Sequence, residues 1–288
     1  MIAVYKRELR AYMNNVYGWL FMSVLLLFIG VTMFIDNLAN QLPYFEYALL
    51  DGQYVLLLMI PILCMRSMAE DKKNKTDMFY LSLPMKSSAV VVGKYLALLT
   101  VFALPCLVLC VYPLLLSAFG TVNFASSYVA LLFFFLTGAA LIAVCQFLSS
   151  LTENLVVAAV LGMVAALLLF FLPVLASIIP EKPLASFIGL VIVAVLAALI
   201  AFVVTRNLSV TAITGAVLVV PTSVLYILMQ DKFEGLLTKF LLPLSPFLQF
   251  QNVSSYAIFS VASLILMLSY PLFFLFLTVQ AVDKKRWS

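Results

Sequence analysis

Few side chains in this sequence could do chemistry, and their spacing narrows the field. Cys106 and Cys110 stand four apart, on one face of any helix that holds them. Such a pair could ligate a soft metal, but the chain has no histidine to complete a set, and a thiolate inside an apolar run is costly. Cys64 and Cys145 also lie in apolar runs, so all four cysteines read as small core residues and no metal site is expected. The missing histidine also removes a Ser–His nucleophile pair and the H-E-x-x-H metalloprotease pattern. Gly93-Lys94 is the nearest approach to a phosphate-binding loop, and it lacks both the first glycine and the hydroxyl after the lysine. No catalytic residue is expected in this chain.

The remaining polar chemistry is concentrated. Arg66, Glu70, Asp71, Lys72, Lys73, Lys75 and Asp77 fall within twelve residues, directly after the apolar run QYVLLLMIPILCM. At about 2.5–3.5 kcal/mol per charge, burying all seven in lipid would cost on the order of 20 kcal/mol, so they must meet water or protein. Glu70 and Lys73, and Asp71 and Lys75, are placed to pair along a helix that continues out of the apolar run. Thr76 or Asp77 can cap a new short helix, TDMFYLSL, which Pro84 ends. It would present Met78, Phe79 and Leu81 among charges. A lipid surface and a groove on a partner protein both fit that pattern.

The elements that carry this segment are membrane helices. The chain is 66% hydrophobic and 10% charged, against about a quarter charged in soluble domains. Its mean hydropathy is +1.20. The apolar runs are long and continuous rather than short and alternating, so the fold class is an all-α integral membrane protein. Runs long enough to cross a bilayer fall at 18–35, 48–65, 95–119, 128–149, 155–179, 186–205, 209–229 and 254–280, which gives eight crossings in one transmembrane domain.

Lysine and arginine set the orientation. With both termini cytoplasmic, thirteen of the sixteen basic residues lie inside, and only Lys182, Lys232 and Lys239 lie outside. The first span could be mistaken for a signal peptide, but its apolar run is long and NLAN offers no cleavage pattern, so an uncleaved helix is expected. Residues 1–17 place Ile2, Tyr5, Leu9, Tyr12, Met13 and Val16 on one helical face and Lys6, Arg7 and Arg10 mostly on the other. That suits an amphipathic helix at the cytoplasmic interface, with the three basic residues towards lipid headgroups.

No ionisable residue sits near the centre of a span; Asp36, Asp51, Glu153 and Arg206 fall at ends or turns. Ser23, Thr32, Gln53, Thr100, Thr137 and Gln146 are uncharged, and their ordinary role is hydrogen bonding between helices. Proton or ion pathways usually show intramembrane charge, so an ion-coupled transporter is disfavoured. Residues 230–253 form an extracytoplasmic segment broken by Pro243 and Pro246, with Phe233, Leu236, Leu237 and Phe240 at helical spacing; an interfacial helix that packs is expected there.

The run RSMAEDKKNKTDMFYLSLP at 66–84 resembles the first cytoplasmic loop of ABC-2 type ABC transporter permeases, and most closely the subgroup associated with gliding motility. Arg66, Ala69, Glu70, Asp71, Lys72, Lys73, Thr76, Asp77 and Pro84 fit its pattern. SSLTENLVVAAV at 149–160, FFLFLTVQAVDKKRW at 273–287 and the opening YKRELRAY are similar to the family as well. Two departures lie in the loop: Lys75 where the family usually has glycine, and Met78 where an acid is common. A third is larger. The family typically has six spans, so residues 186–229 look like an added helical hairpin on a six-helix core.

The resemblance implies a permease subunit, in a bacterial plasma membrane, that dimerises with a second copy or a paralogue. Each half would be driven by a separate cytoplasmic ABC ATPase carrying ATP and Mg. It implies no cofactor in this chain and no nucleic acid partner. The helix near 76–83, within a coupling loop at 66–88, would seat in the ATPase, with Glu70, Asp71, Thr76, Asp77 and Phe79 as the coupling residues. Reversing the charges of Glu70 and Asp71 together with Phe79→Ala would then uncouple the partner without unfolding the protein. An ion-coupled or facilitative transporter and a non-transporting scaffold are the alternatives; the substrate-binding residues are not legible.

Overall fold

The computed structural model describes residues 1–287 except 41–42, 77–85, 181, 206–214, 220, 224–225, 227–232 and 257–258. Every regular element among the described residues is helical. In chain order they are α1 (Ile2–Met13), α2 (Val16–Thr32) running into a π-helical turn (Met33–Ala39), α3 (Phe45–Lys73), α4 (Ser87–Leu109), α5 (Tyr112–Ser117), α6 (Phe124–Leu151), α7 (Leu155–Ile178), α8 (Pro183–Thr205), α9 (Leu236–Leu241) with a 3₁₀ turn (Leu242–Leu244), α10 (Pro246–Tyr256) and α11 (Val261–Trp287).

Among the described residues, six stretches are long and apolar enough to cross a membrane: Val16–Ala39, Phe45–Lys73, Ser87–Ser117, Phe124–Leu151, Leu155–Ile178 and Val261–Lys284. They coincide with six of the eight expected spans. The expected span at 186–205 lies in α8, whose described apolar stretch is the shorter Pro183–Val195. Most of the expected span at 209–229 lies outside the described residues. The span expected at 95–119 begins earlier, at Ser87, and breaks between α4 and α5.

The chain divides into two units, Met1–Leu168 with Pro246–Val279, and Leu169–Ser245 with Gln280–Ser288. In the first, α3 and α6 are the most enclosed spans. Small residues let helices approach, since tight packing rather than a hydrophobic force joins helices in lipid. Gly52 of α3 faces Ile29 of α2, where an added Cβ would lie 3.0 Å from the side chain. Gly138 of α6 meets the ring of Phe102 of α4, which stacks on Phe135 at 5.6 Å and packs edge-on to Phe21 at 6.2 Å. Phe134 extends this cluster to Phe250 of α10 at 5.8 Å. Phe247 and Phe250 of α10 are fully buried.

Several polar side chains of the first unit donate to backbone carbonyls. Thr100 and Thr137 donate to carbonyls one turn back, and Gln146 donates to the Val91 carbonyl of α4 at 3.0 Å. In the second unit Gly189 of α8 approaches Leu237 of α9, while Phe187, Tyr226 and Phe233 form an aromatic row.

Candidate functional site: the stem of the charged loop

The helix that leaves the second span does continue, and α3 ends only at Lys73. Its last turns differ from the surrounding surface because their charges are bound to the protein. Arg66 grips Glu70 one turn on through two hydrogen bonds, Nη2 to Oε1 at 2.6 Å and Nε to Oε2 at 2.8 Å. The guanidinium also covers the ring of Tyr17 at 4.5 Å from its centroid, a cation–π contact that fixes the start of α2 against α3. Asp71 turns inward. Its Oδ2 lies 2.6 Å from Lys94 Nζ of α4, and Lys94 is only 3% exposed. Glu8 of α1 lies on the same ammonium at 3.4 Å, and Lys94 donates a third bond to the Ser67 carbonyl. Arg7 in turn contacts the Glu8 carboxylate.

These pairings differ from those expected between Glu70 and Lys73 and between Asp71 and Lys75. The reason is burial. A cation held away from water must be met by carboxylate or carbonyl oxygen, whereas an exposed lysine loses little by staying hydrated. Lys73 and Lys75 are exposed, so Lys94 takes Asp71.

The end of the stem is closed by Thr76. Its N–H bonds to the Asp71 carbonyl at 2.9 Å, and its hydroxyl donates to Asp71 Oδ1 at 2.9 Å. The described contacts of Thr76 thus complete the helix behind it. The short helix expected after it, with Asp77, Met78, Phe79, Leu81 and Pro84, lies outside the described residues. Lys75 has φ +57°, the left-handed conformation that glycine adopts without penalty. This is the position where the resemblance leads one to expect glycine. Lys75→Gly should therefore stabilise the protein by up to about 1 kcal/mol, the scale of a left-handed strain relieved. A rise in the thermal midpoint without change in the far-UV spectrum would show it.

The stem is also tied to the end of α6. The Ser149 hydroxyl accepts from the Ala69 and Met68 N–H groups at 3.1 and 3.3 Å and donates to the Met65 carbonyl at 3.2 Å. It sits beside the rung that would join residues 65 and 69, a common way to bend a helix. Lys72 reaches the Ser150 carbonyl. So the stretches 66–76 and 149–150, far apart in sequence, meet in space.

The N-terminal helix completes the site. Val4, Glu8 and Tyr12 form its buried face, with Tyr5, Leu9 and Met13 half-buried, while Ile2 and Val16 are exposed. The buried face is thus turned from the one expected and holds an acid. Lys6, Arg7 and Arg10 are exposed, as the basic face should be. The helix lies on α4. An added Cβ on Gly93 would stand 3.2 Å from the Met1 carbonyl oxygen, and the Tyr5 hydroxyl is 3.1 Å from Thr100 Oγ1. Tyr12 donates to the Leu63 carbonyl at 3.5 Å, and burial holds its phenol well above its ordinary pKa.

Between α1 and the stem lies a pocket of about 310 Å³. Arg7, Glu8, Tyr12, Arg66, Glu70 and Thr76 are among the residues that line it. Among the described residues no cluster of three or more potential metal ligands occurs. The pocket carries both signs of charge, from Arg7 and Arg66 and from Glu8, Glu70 and Asp71. Sequence reasoning passed over Glu8 and gave Lys94 no part in the charged loop. A signal existed for Lys94, which falls in register with Val90, Val91, Ala97, Leu98 and Val101 on the buried face of α4.

Residues 29–186, over half of the chain, match the profile of the family described as ABC-2 family transporter protein. No curated protein matches the chain.

Proposed function

We infer, since the chain belongs to the ABC-2 family of transporter proteins, that this transmembrane permease is the membrane subunit of an ATP-driven exporter. Its ATPase would be a separate cytoplasmic chain docked on the loop after α3. The observation that carries this reading is the braced stem. The loop does not leave the membrane as a free strand of charge; Asp71 pairs with Lys94 of α4, which Glu8 of α1 also meets, Arg66 covers Tyr17 of α2, and Ser149 joins the base to α6. A loop with so firm a base can pass a displacement into the helices that line a pathway.

The 288 residues contain no phosphate-binding loop, so ATP and Mg are assigned to the partner. On this reading a second copy or a paralogue completes the pathway. The six candidate spans, with α8 and the segment 209–229, make eight crossings. The inside bias of lysine and arginine puts both termini on the cytoplasmic side of a bacterial plasma membrane. Within the family, the resemblance of residues 66–84 supports the subgroup associated with gliding motility, and the exposed Lys6, Arg7 and Arg10 suit anionic headgroups.

The test is a variant that alters the docking face and spares the brace. Glu70→Lys with Phe79→Ala should weaken capture of the ATPase by about tenfold or more, the scale of losing an anchor residue at an interface. The thermal midpoint should move little, because Glu70 is the more exposed of the two acids. Unchanged capture and unchanged ATPase stimulation would remove the docking assignment. A chain that moves substrate without ATP would be a secondary transporter, and one that recruits an ATPase yet moves nothing would be a scaffold.

A further inference from the structure

Lys94 is the most deeply buried charged side chain among the described residues. A buried ion pair is a weak source of stability, since apolar residues of similar volume often serve as well. What it does supply is position. Glu8, Asp71 and Lys94 come from α1, α3 and α4, and the ammonium must stay within reach of both carboxylates and of the Ser67 carbonyl. A slide of either neighbouring helix by one turn, about 5.4 Å, would strand the charge away from water. Beside it, Gly93 lets the start of α1 lie close, and the Tyr5–Thr100 contact holds α1 further along α4.

We propose that Lys94 is a positioning residue that makes the N-terminal helix part of the coupling machinery. It pins α1 and the loop stem to one point on α4, so that displacement of the stem reaches α1 and α4 together. The sequence pattern gives α1 only an anchoring role at the lipid surface. The pin adds a mechanical one, and it accounts for an acid on the buried face of an otherwise basic helix. This inference rests on the reading that the loop docks an ATPase.

The test uses the full chain in complex with its ATPase, with and without a non-hydrolysable ATP analogue, and reads backbone hydrogen exchange in α1 and in residues 66–76. In the unaltered protein both regions should respond to the analogue together. In Lys94→Met the stem should still respond while α1 does not, and without nucleotide α1 should exchange about tenfold faster as it works loose. Should Lys94→Met fail to fold, Glu8→Gln leaves the Lys94–Asp71 pair in place and should show the same loss of response in α1. An α1 response that persists in the variant overturns the proposal. So does an unaltered protein whose stem responds while α1 does not. If the stem itself is silent, the docking reading fails, and the pin is judged without nucleotide: faster α1 exchange in Lys94→Met supports it and unchanged exchange overturns it.

Discussion

Asp71→Lys should destabilise the folded protein by about 3 kcal/mol or more, the lower end of the range for breaking a buried ion pair. The substitution removes the carboxylate 2.6 Å from Lys94 Nζ and puts a second cation in its place. Lys94 cannot escape, because it is 3% exposed, and Glu8 at 3.4 Å is shared with Arg7. The Thr76 hydroxyl loses its acceptor at the same time. Asp71 keeps some exposure, which is why the lower end of the range applies. Glu70→Lys is the control. Its partner Arg66 is more exposed than Lys94, so the like charges can turn apart into water and the cost should be well under half as large. Thermal unfolding in a mild detergent reads the difference. Equal losses for the two variants would mean that the Lys94 pair is no more buried than the Arg66 pair. The contrast also corrects an expectation from the sequence: Glu70 can be reversed to test docking, but Asp71 cannot be reversed without loosening the protein itself.

Gly138→Val should be among the most damaging substitutions of a glycine in the first unit. An added Cβ would stand 2.2 and 2.4 Å from Cε1 and Cζ of Phe102, and valine adds two methyl groups beyond it. A free ring would swing aside, but Phe102 is boxed by Phe135, Phe21 and Phe134. Relief therefore requires α4 and α6 to separate. Overpacking costs of about 1–3 kcal/mol are usual, and a boxed ring puts this case at or above the top of that range. Gly120→Val offers the comparison. The nearest atom to its added Cβ is the Pro43 Cβ at 4.0 Å, so little loss is expected. The thermal midpoints of the two variants check the claim, and a mild effect at Gly138 would show that the aromatic cluster yields more readily than its packing implies.

Much of this was readable from residue order because lipid is a strict solvent. It demands continuous apolar helices, so six spans could be placed by length and composition alone. The charged stem was legible for the same reason: seven charges in twelve residues cannot lie in hydrocarbon. The partners of those charges were not legible. Spacing along a helix proposes Lys73 for Glu70 and Lys75 for Asp71; Arg66 is another partner one turn from Glu70, whereas burial decides for Lys94 at Asp71. Burial depends on α1 folding back over α4, a long-range contact that no local pattern shows. The face of α1 was misplaced for a related reason. The sequence pattern gathers Ile2 and Val16 with the apolar residues as though all faced lipid, yet the helix buries Val4, Glu8 and Tyr12 on protein. The span expected from 186 to 205 falls within α8, a continuous apolar helix of 23 residues.

The central claim is that a cytoplasmic ATPase sits on the loop after α3, and a photo-crosslinker placed at Lys73 tests it most directly. Lys73 is exposed at the end of the stem, so the probe need not disturb the bonds that brace it. The crosslink would be made in native membranes and its partner identified by mass spectrometry. The account predicts an ABC ATPase as the main product, one per permease, with the yield changing when the membranes are loaded with a non-hydrolysable ATP analogue. A crosslink to lipid alone, with the protein folded and monodisperse afterwards, would contradict it.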